Sequence, residues 1–73
     1  MHHEEFNNMP IFNQTMQIWL KGNIVDKRNL HNQIIVLYAF RKKFYEISYR
    51  KEDHVILKVE EIEIDKVLSI YQF

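Results

Sequence analysis

The 73-residue sequence contains no cysteine and only one glycine, one proline and one alanine. Without cysteine the chain has no disulfide, no thiolate metal site and no thiol nucleophile. A single glycine excludes the glycine-rich loops that bind the phosphate groups of nucleotides. A single alanine is untypical of a helical bundle, because alanine is the strongest helix former. These absences exclude several classes of enzyme and favour a fold built mainly from strands.

The sequence also lacks an excess of charge of either sign and any long apolar segment. Ten Lys and Arg residues balance ten Asp and Glu residues, which removes the bulk attraction to nucleic acids and anionic membranes. The longest apolar run covers residues 34–40, far short of the ~20 residues that cross a bilayer. The first residues show no basic and apolar signal-peptide pattern. We therefore expect a cytoplasmic protein that does not contact membranes.

Of the apolar residues, ten are Ile, five Val, five Phe, four Tyr and one Trp. These β-branched and aromatic types are typical of strands. The length predicts one domain covering residues 1–73, with a disordered tail at 1–9, a helix at 10–21 and an antiparallel sheet at 33–73. A core of this size rarely supplies more than ~3–5 kcal/mol, so we also expect self-association, with a homodimer as its simplest form.

The helix prediction depends on spacing and end signals. Pro10 suits the first position of a helix, and Gly22 suits a left-handed residue just after its end. One apolar stripe follows helical spacing and is expected to cover the sheet: Phe12, Met16, Trp19 and Leu20. For residues 15–25 a strand is the competing interpretation, because Met16, Ile18 and Leu20 also recur at every second residue.

Three later segments alternate with a period of two, at residues 34–40, 44–49 and 55–60, and Ile24 with Val25 indicates a short edge strand. Pairing Phe40 with Tyr45, and Tyr49 with Val55, places the large apolar side chains on one face. The opposite face of the second and third strands is then largely wet. For residues 62–71, a final edge strand is favoured over a short helix beginning at Asp65.

Residues 62–70 resemble the end of SH3-like domains, in which a strand, a one-turn helix and a last strand close a small barrel. Such barrels use glycines or bulges where their strands bend sharply, and no glycine follows Gly22. We therefore expect an α+β fold in which one short N-terminal helix packs on an open, twisted antiparallel sheet of three to five strands. A small SH3-like β-barrel is the alternative.

More large apolar side chains are present than one sheet face can hide. Ile35 and Leu37 fall on the second face of the first predicted strand, and Ile56 falls on the corresponding face of the third. Together they are a candidate patch for another protein or a second copy of the chain. The leading hypothesis is accordingly a small interaction or regulatory accessory protein without catalytic activity.

The alternative hypothesis is a module that binds single-stranded nucleic acid through residues 38–51, where aromatic and basic residues interleave. Its candidate contacts are Arg41, Lys42, Lys43, Phe44, Arg50 and Lys51. Residues 41–51 carry a net charge of +4 and residues 52–66 a net charge of −4. The favoured interpretation is that these neighbouring segments neutralise each other across the sheet, so nucleic acid is the less favoured partner.

Signals for catalysis and for metal binding are weak. The four histidines show no pair at the i, i+4 spacing of a helical metal site. The acidic residues at 60–65 are typical of a solvated strand edge, and neither serine lies in a nucleophile-elbow pattern. We expect no catalytic residues, no metal and no cofactor.

Overall fold

The computed structural model describes Phe6 and residues 8–71 as two helices and one four-stranded sheet. The elements are α1 (Ile11–Lys21), β1 (Asn23–Asn29), β2 (Gln33–Phe40), β3 (Lys43–Arg50), β4 (Ile56–Ile62) and α2 (Ile64–Ile70). The strands pair antiparallel in chain order, with β1 and β4 at the two edges. The predicted α+β class with an N-terminal helix is confirmed. The sheet is open, so the alternative of an SH3-like barrel is wrong.

The sheet differs from the predicted range of 33–73 at both of its ends. It begins at Asn23, because the edge strand indicated by Ile24 and Val25 is a full strand with a bulge between Ile24 and Asp26. It ends at Ile62, and α2 replaces the predicted final strand. The backbone N–H groups of Lys66 and Val67 both donate to the carbonyl oxygen of Glu63 and begin this helix.

The β2–β3 hairpin has a tighter turn than expected. Its turn residues are Arg41 and Lys42, with φ values of 53° and 63°, as two-residue hairpin turns of type I′ require. Tyr45 therefore pairs with Tyr38 instead of Phe40. This shift of two residues leaves every side chain on its predicted face, because the pleat also repeats every two residues.

The β3–β4 pairing contains an irregularity that sequence periodicity missed. Its register shifts between Ser48 and Tyr49, so Tyr49 lies opposite Ile56 and not opposite Val55. A bulge of this kind inserts one unpaired residue. Ile56 therefore belongs to the same face as Tyr49 and packs against the core on that side, which contradicts its predicted position on the opposite face.

The first core lies between α1 and the sheet and contains Phe6, Ile18, Tyr38, Phe40, Tyr45 and Ile47. The ring of Phe6 lies 5.2 Å from that of Phe40 and 5.3 Å from that of Tyr45. The prediction of a disordered tail at 1–9 is therefore wrong at Phe6 and at Met9, which also packs against this core. Residues 1–5 and 7 lie outside the described residues.

The second core occupies the opposite face of the sheet, which was expected to be wet. It contains Leu37, Ile62, Val67 and Tyr71, with Phe44 and Ile70 packed against it. Glu46 and Ser48 on the same face are buried as well. The second face needs a cover because β2 is apolar on both sides. The helix α2 packs on this face and covers it, whereas a fifth strand beside β4 would extend the sheet without covering the face.

Gly22 ends α1 for a different reason from the one predicted. Its φ is −89°, in the extended region and not the left-handed one. A Cβ atom at this position would lie 2.6 Å from the carbonyl oxygen of Ile18 and 3.1 Å from that of Ala39. The glycine is therefore required because a side chain here would collide with the last turn of α1 and would also crowd β2.

The substitution Gly22→Ala should lower the free energy of unfolding by about 1–3 kcal/mol, because the new methyl group collides with the carbonyl oxygen of Ile18 and crowds that of Ala39. Urea unfolding followed by circular dichroism measures this change. Lys21→Ala on the exposed neighbouring residue is the control and should have little effect. Equal stability of the two variants would contradict the role of this close contact.

The substitution Lys42→Gly should raise the free energy of unfolding by about 1 kcal/mol, because glycine adopts a left-handed conformation without the steric cost that lysine has there. Lys43→Gly is the matched control, since it places glycine at the next residue but inside β3 and should destabilise the protein. Loss of stability in both variants would argue against the two-residue turn.

Candidate interaction surface

The apolar stripe of α1 does not face the sheet as predicted. The residues of α1 that are buried are Thr15 and Ile18. Three members of the predicted stripe lie on the outside of the helix, with exposed fractions of 63% for Phe12, 37% for Met16 and 72% for Leu20. We call these three residues the outer stripe. The prediction that they cover the sheet is wrong.

Helix geometry gives the angle between the outer stripe and the buried side of α1. Each residue advances about 100° around a helix, which places the centre of the stripe about 130° from the direction of Thr15 and Ile18. Thr15 tolerates burial because its hydroxyl donates to the carbonyl oxygen of Ile11 at 2.8 Å. A small residue on the inner side also suits the close approach of α1 to the sheet at Gly22.

A groove of about 380 Å³ lies beside α1 on the same face of the sheet. Ile34 and Val36 of β2 line it and are both half-buried. Trp19 forms one wall, and the basic side chains Lys27 and His54 also contribute to the lining. Trp19 belongs to α1 next to the outer stripe, so the stripe and the groove form one continuous surface with an apolar centre.

Trp19 is held in a defined orientation although it is 45% exposed. Its indole N–H donates to the hydroxyl oxygen of Tyr49 at 2.8 Å, and the two rings stack with 8° between their planes. Burial raises the pKa of Tyr49 above its usual range, and a hydrogen bond with Tyr38 contributes to this rise. The Tyr49 hydroxyl therefore stays neutral and available as the acceptor for Trp19.

Ile35, Leu37 and Ile56 do not form the predicted patch on one exposed surface. Leu37 is completely buried in the second core, and Ile35 is buried as well. Ile56 lies on the other face, against the first core. The prediction is wrong because α2 covers the second face and the β3–β4 bulge turns Ile56 away from it.

The six candidate nucleic-acid contacts fall into two groups at opposite ends of β3. Arg41 and Lys42 form the β2–β3 turn, and Lys43 and Phe44 begin β3. Arg50 is the last residue of β3, and Lys51 follows it. The seven steps from residue 43 to residue 50 span about 23 Å at ~3.3 Å per residue. Phe44, which was expected on the charged side, packs against the second core instead.

Several of these cations already have partners within the chain. Lys43 pairs with Glu61 across β3 and β4 at 3.4 Å, and Arg50 makes two hydrogen bonds of 2.9 and 3.0 Å to Asp53. Lys51 donates to the carbonyl oxygen of Leu30, and the guanidinium of Arg41 lies 4.9 Å from the ring centre of Phe40. Lys43 thus pairs across the sheet with an acidic residue of the neighbouring segment, as the favoured charge interpretation expected, whereas Arg50 pairs locally with Asp53 in the loop after β3.

A buried polar network on the second face was not predicted. The Tyr71 hydroxyl donates to Glu46 Oε2 at 2.7 Å, and Arg28 Nη2 donates to the same oxygen at 3.2 Å. Arg28 Nε also donates to the Tyr71 hydroxyl at 3.3 Å. Sequence reasoning missed Arg28 because it lies in a polar, asparagine-rich segment. This network connects the end of α2 to β1 and β3.

The part of the chain at residue 6 and residues 8–71 contains no group of three His, Cys, Asp or Glu side chains that could hold a metal ion. No helix within the same residues is long and apolar enough to cross a membrane. Comparison with protein-family models, with curated proteins and with solved structures found no match to this chain. The surface chemistry described above is therefore the basis for inferring function.

Tyr71→Phe should lower the free energy of unfolding by about 1–2 kcal/mol near neutral pH, because Glu46 loses a buried hydrogen-bond donor. Burial, followed by the hydrogen bond to Glu46, raises the pKa of Tyr71 from 10.0 to about 12. The stabilisation by this hydroxyl is thus fully present below pH 10 and is lost as the pH rises towards 12.

Urea unfolding of both proteins at a series of pH values tests this linkage. Above pH 10 the original chain should lose stability more steeply than the Tyr71→Phe variant, since the variant has no proton to lose at this position. The other ionisable groups are common to the two chains and cancel in the difference. Parallel pH profiles would contradict the shifted pKa of Tyr71.

Proposed function

We propose that this protein is a small interaction protein without catalytic activity, which docks an apolar protein surface through the outer stripe of α1 and the groove beside it. The observation that carries the proposal is the exposure of Phe12, Met16 and Leu20 in successive turns of one helix. In the folded chain these side chains face solvent and not the core, so their burial is available to a partner.

The size of the exposed surface supports this proposal. If a fully exposed large side chain presents about 200 Å², the outer stripe leaves roughly 350 Å² of mainly apolar surface in contact with water. The largest apolar patch on a typical monomer is about 300–600 Å² and is often functional, and the outer stripe alone falls within this range. Trp19 extends the patch towards the groove. Burial in an interface would remove this surface from water.

The chemistry of the surface indicates what kind of partner fits. The only charged residue of α1 is Lys21, which lies about 140° around the helix from the centre of the outer stripe. A partner with an uncharged, apolar contact surface therefore matches the stripe, and spacing at i, i+4 and i+8 suits packing against a helix or a sheet. Lys27 and His54 offer polar contacts at the groove, as the rim of an interface requires.

Nucleic-acid binding through residues 38–51 is less well supported by the burial and pairing of the side chains in this segment. The aromatic side chains of this segment mostly lie in the two cores, which leaves few of their faces available for stacking on bases. Of its cations, Lys43 and Arg50 form ion pairs within the chain. Protein docking accounts for the exposed apolar residues, which a nucleic-acid interface would leave unexplained.

Photo-crosslinking tests the proposal with one probe residue and two matched variants. A photoreactive amino acid replaces Met16 in the middle of the stripe, and the protein is irradiated in an extract of its native host. We expect a discrete protein adduct that is lost in Leu20→Lys and kept in Leu68→Lys. Both variants replace an exposed leucine with lysine, but Leu20 belongs to the outer stripe of α1 and Leu68 to α2.

The position of the charge is the only difference between the two variants, so adduct loss in both would indicate general electrostatics and would contradict docking by the stripe. Absence of any discrete adduct at Met16 would also contradict the proposal. Circular dichroism of each variant should show an unchanged fold, because the substituted residues are exposed.

A further inference from the structure

We infer that the partner at this surface is a second copy of this chain, whose α1 lies across the uncovered part of the sheet beside the first copy's α1. This inference rests on the proposed function and names its partner. In the resulting homodimer, the outer stripe of each copy fills the groove of the other.

Among the residues that the structure describes, α1 covers only part of its sheet face. The helix approaches the sheet at β4 and β2, and the groove remains open beside it. Its lining includes Ile34 and Val36, two β-branched residues of the central strand β2 that are only half-buried. A strand of this composition is typical of a fully covered position. A second helix on the same face would complete the cover.

Each copy carries both parts of the interface next to each other. The outer stripe projects from α1, and the groove begins at Trp19 of the same helix. A two-fold axis between the copies brings the stripe of one into the groove of the other, and the reverse contact follows by symmetry. Because the surface is complementary to itself, no second type of protein is needed to fill it.

The size and charge of the surface also suit contact between two copies. The outer stripe together with Trp19 exposes about 430 Å² per copy, against about 800 Å² per partner in a standard interface, and the lining of the groove adds to this area. The chain has a net charge of zero, so two copies do not repel each other through their net charge. Lys21 lies on the opposite flank of α1, away from the contact.

The molar mass in solution is the first test and is measured by sedimentation equilibrium from micromolar to millimolar concentration. We expect the original chain to reach twice its mass of 9.0 kDa. Leu20→Lys should stay at the monomer mass, whereas Leu68→Lys should dimerise normally. Leu68 is an exposed apolar residue of α2, so its variant controls for any surface leucine.

Fluorescence provides a second measurement, because Trp19 is the only tryptophan of the chain. Its emission should shift to shorter wavelength as the concentration of the original chain rises, since dimer formation removes water from the exposed indole. The shift should be absent in Leu20→Lys. Phe12→Asn provides an independent second variant and should also prevent the shift, so the result does not depend on the folding of one variant.

The outcomes separate this inference from the proposed function. A monomer at every concentration, combined with a Met16 adduct to a different protein, would overturn the second copy as partner and leave docking by the stripe intact. A monomer without any adduct would overturn both. A dimer that dissociates in Leu68→Lys but not in Leu20→Lys would place the interface on α2 and also overturn the inference.

Discussion

The fold depends on the central strand β2, which is apolar on both of its faces. Leu37 points into one core, and Tyr38 and Phe40 point into the other. A strand of this kind is stable only when both faces of the sheet are covered. The chain meets this requirement with α1 and Phe6 on one side and with α2 and Tyr71 on the other. Within residue 6 and residues 8–71, the two short helices do not cover the four strands completely, and the uncovered remainder is where the candidate interaction surface lies.

The same constraint explains the polar network on the second face. Once α2 covers this face, Glu46 of β3 becomes buried and needs hydrogen-bond donors, because an unpaired buried carboxylate is costly. Arg28 and the Tyr71 hydroxyl supply these donors. Some of the opposite charges that sum to zero over the chain thus form local pairs, and these pairs connect neighbouring elements. These pairs hold α2 in place, and α2 in turn excludes water from Leu37.

The orientation of α1 follows from how close the helix lies to the sheet. The contact at Gly22 leaves no room for a Cβ atom, and Thr15 and Ile18 occupy the narrow space towards the strands. Phe6, which lies before the helix in the chain, supplies the bulky aromatic packing that the stripe was expected to supply. The large side chains of α1 are therefore left on its outer flank, where they are available to a partner.

Local patterns in the sequence were sufficient to predict the helix near 10–21, the segments that form β2, β3 and β4, and the core faces of β2 and β3. The assignment of these side chains to the two faces was correct although the predicted register was wrong, because a shift of two residues preserves the alternation. Local patterns did not predict the β3–β4 bulge that turned Ile56, the choice of a helix after Ile62, or the direction of the outer stripe. Each of these depends on which distant residues compete for the same space. The sequence by itself therefore determined where α1, β2, β3 and β4 form, and only the tertiary structure decided which apolar side chains were left exposed, because the sheet has limited area to cover them.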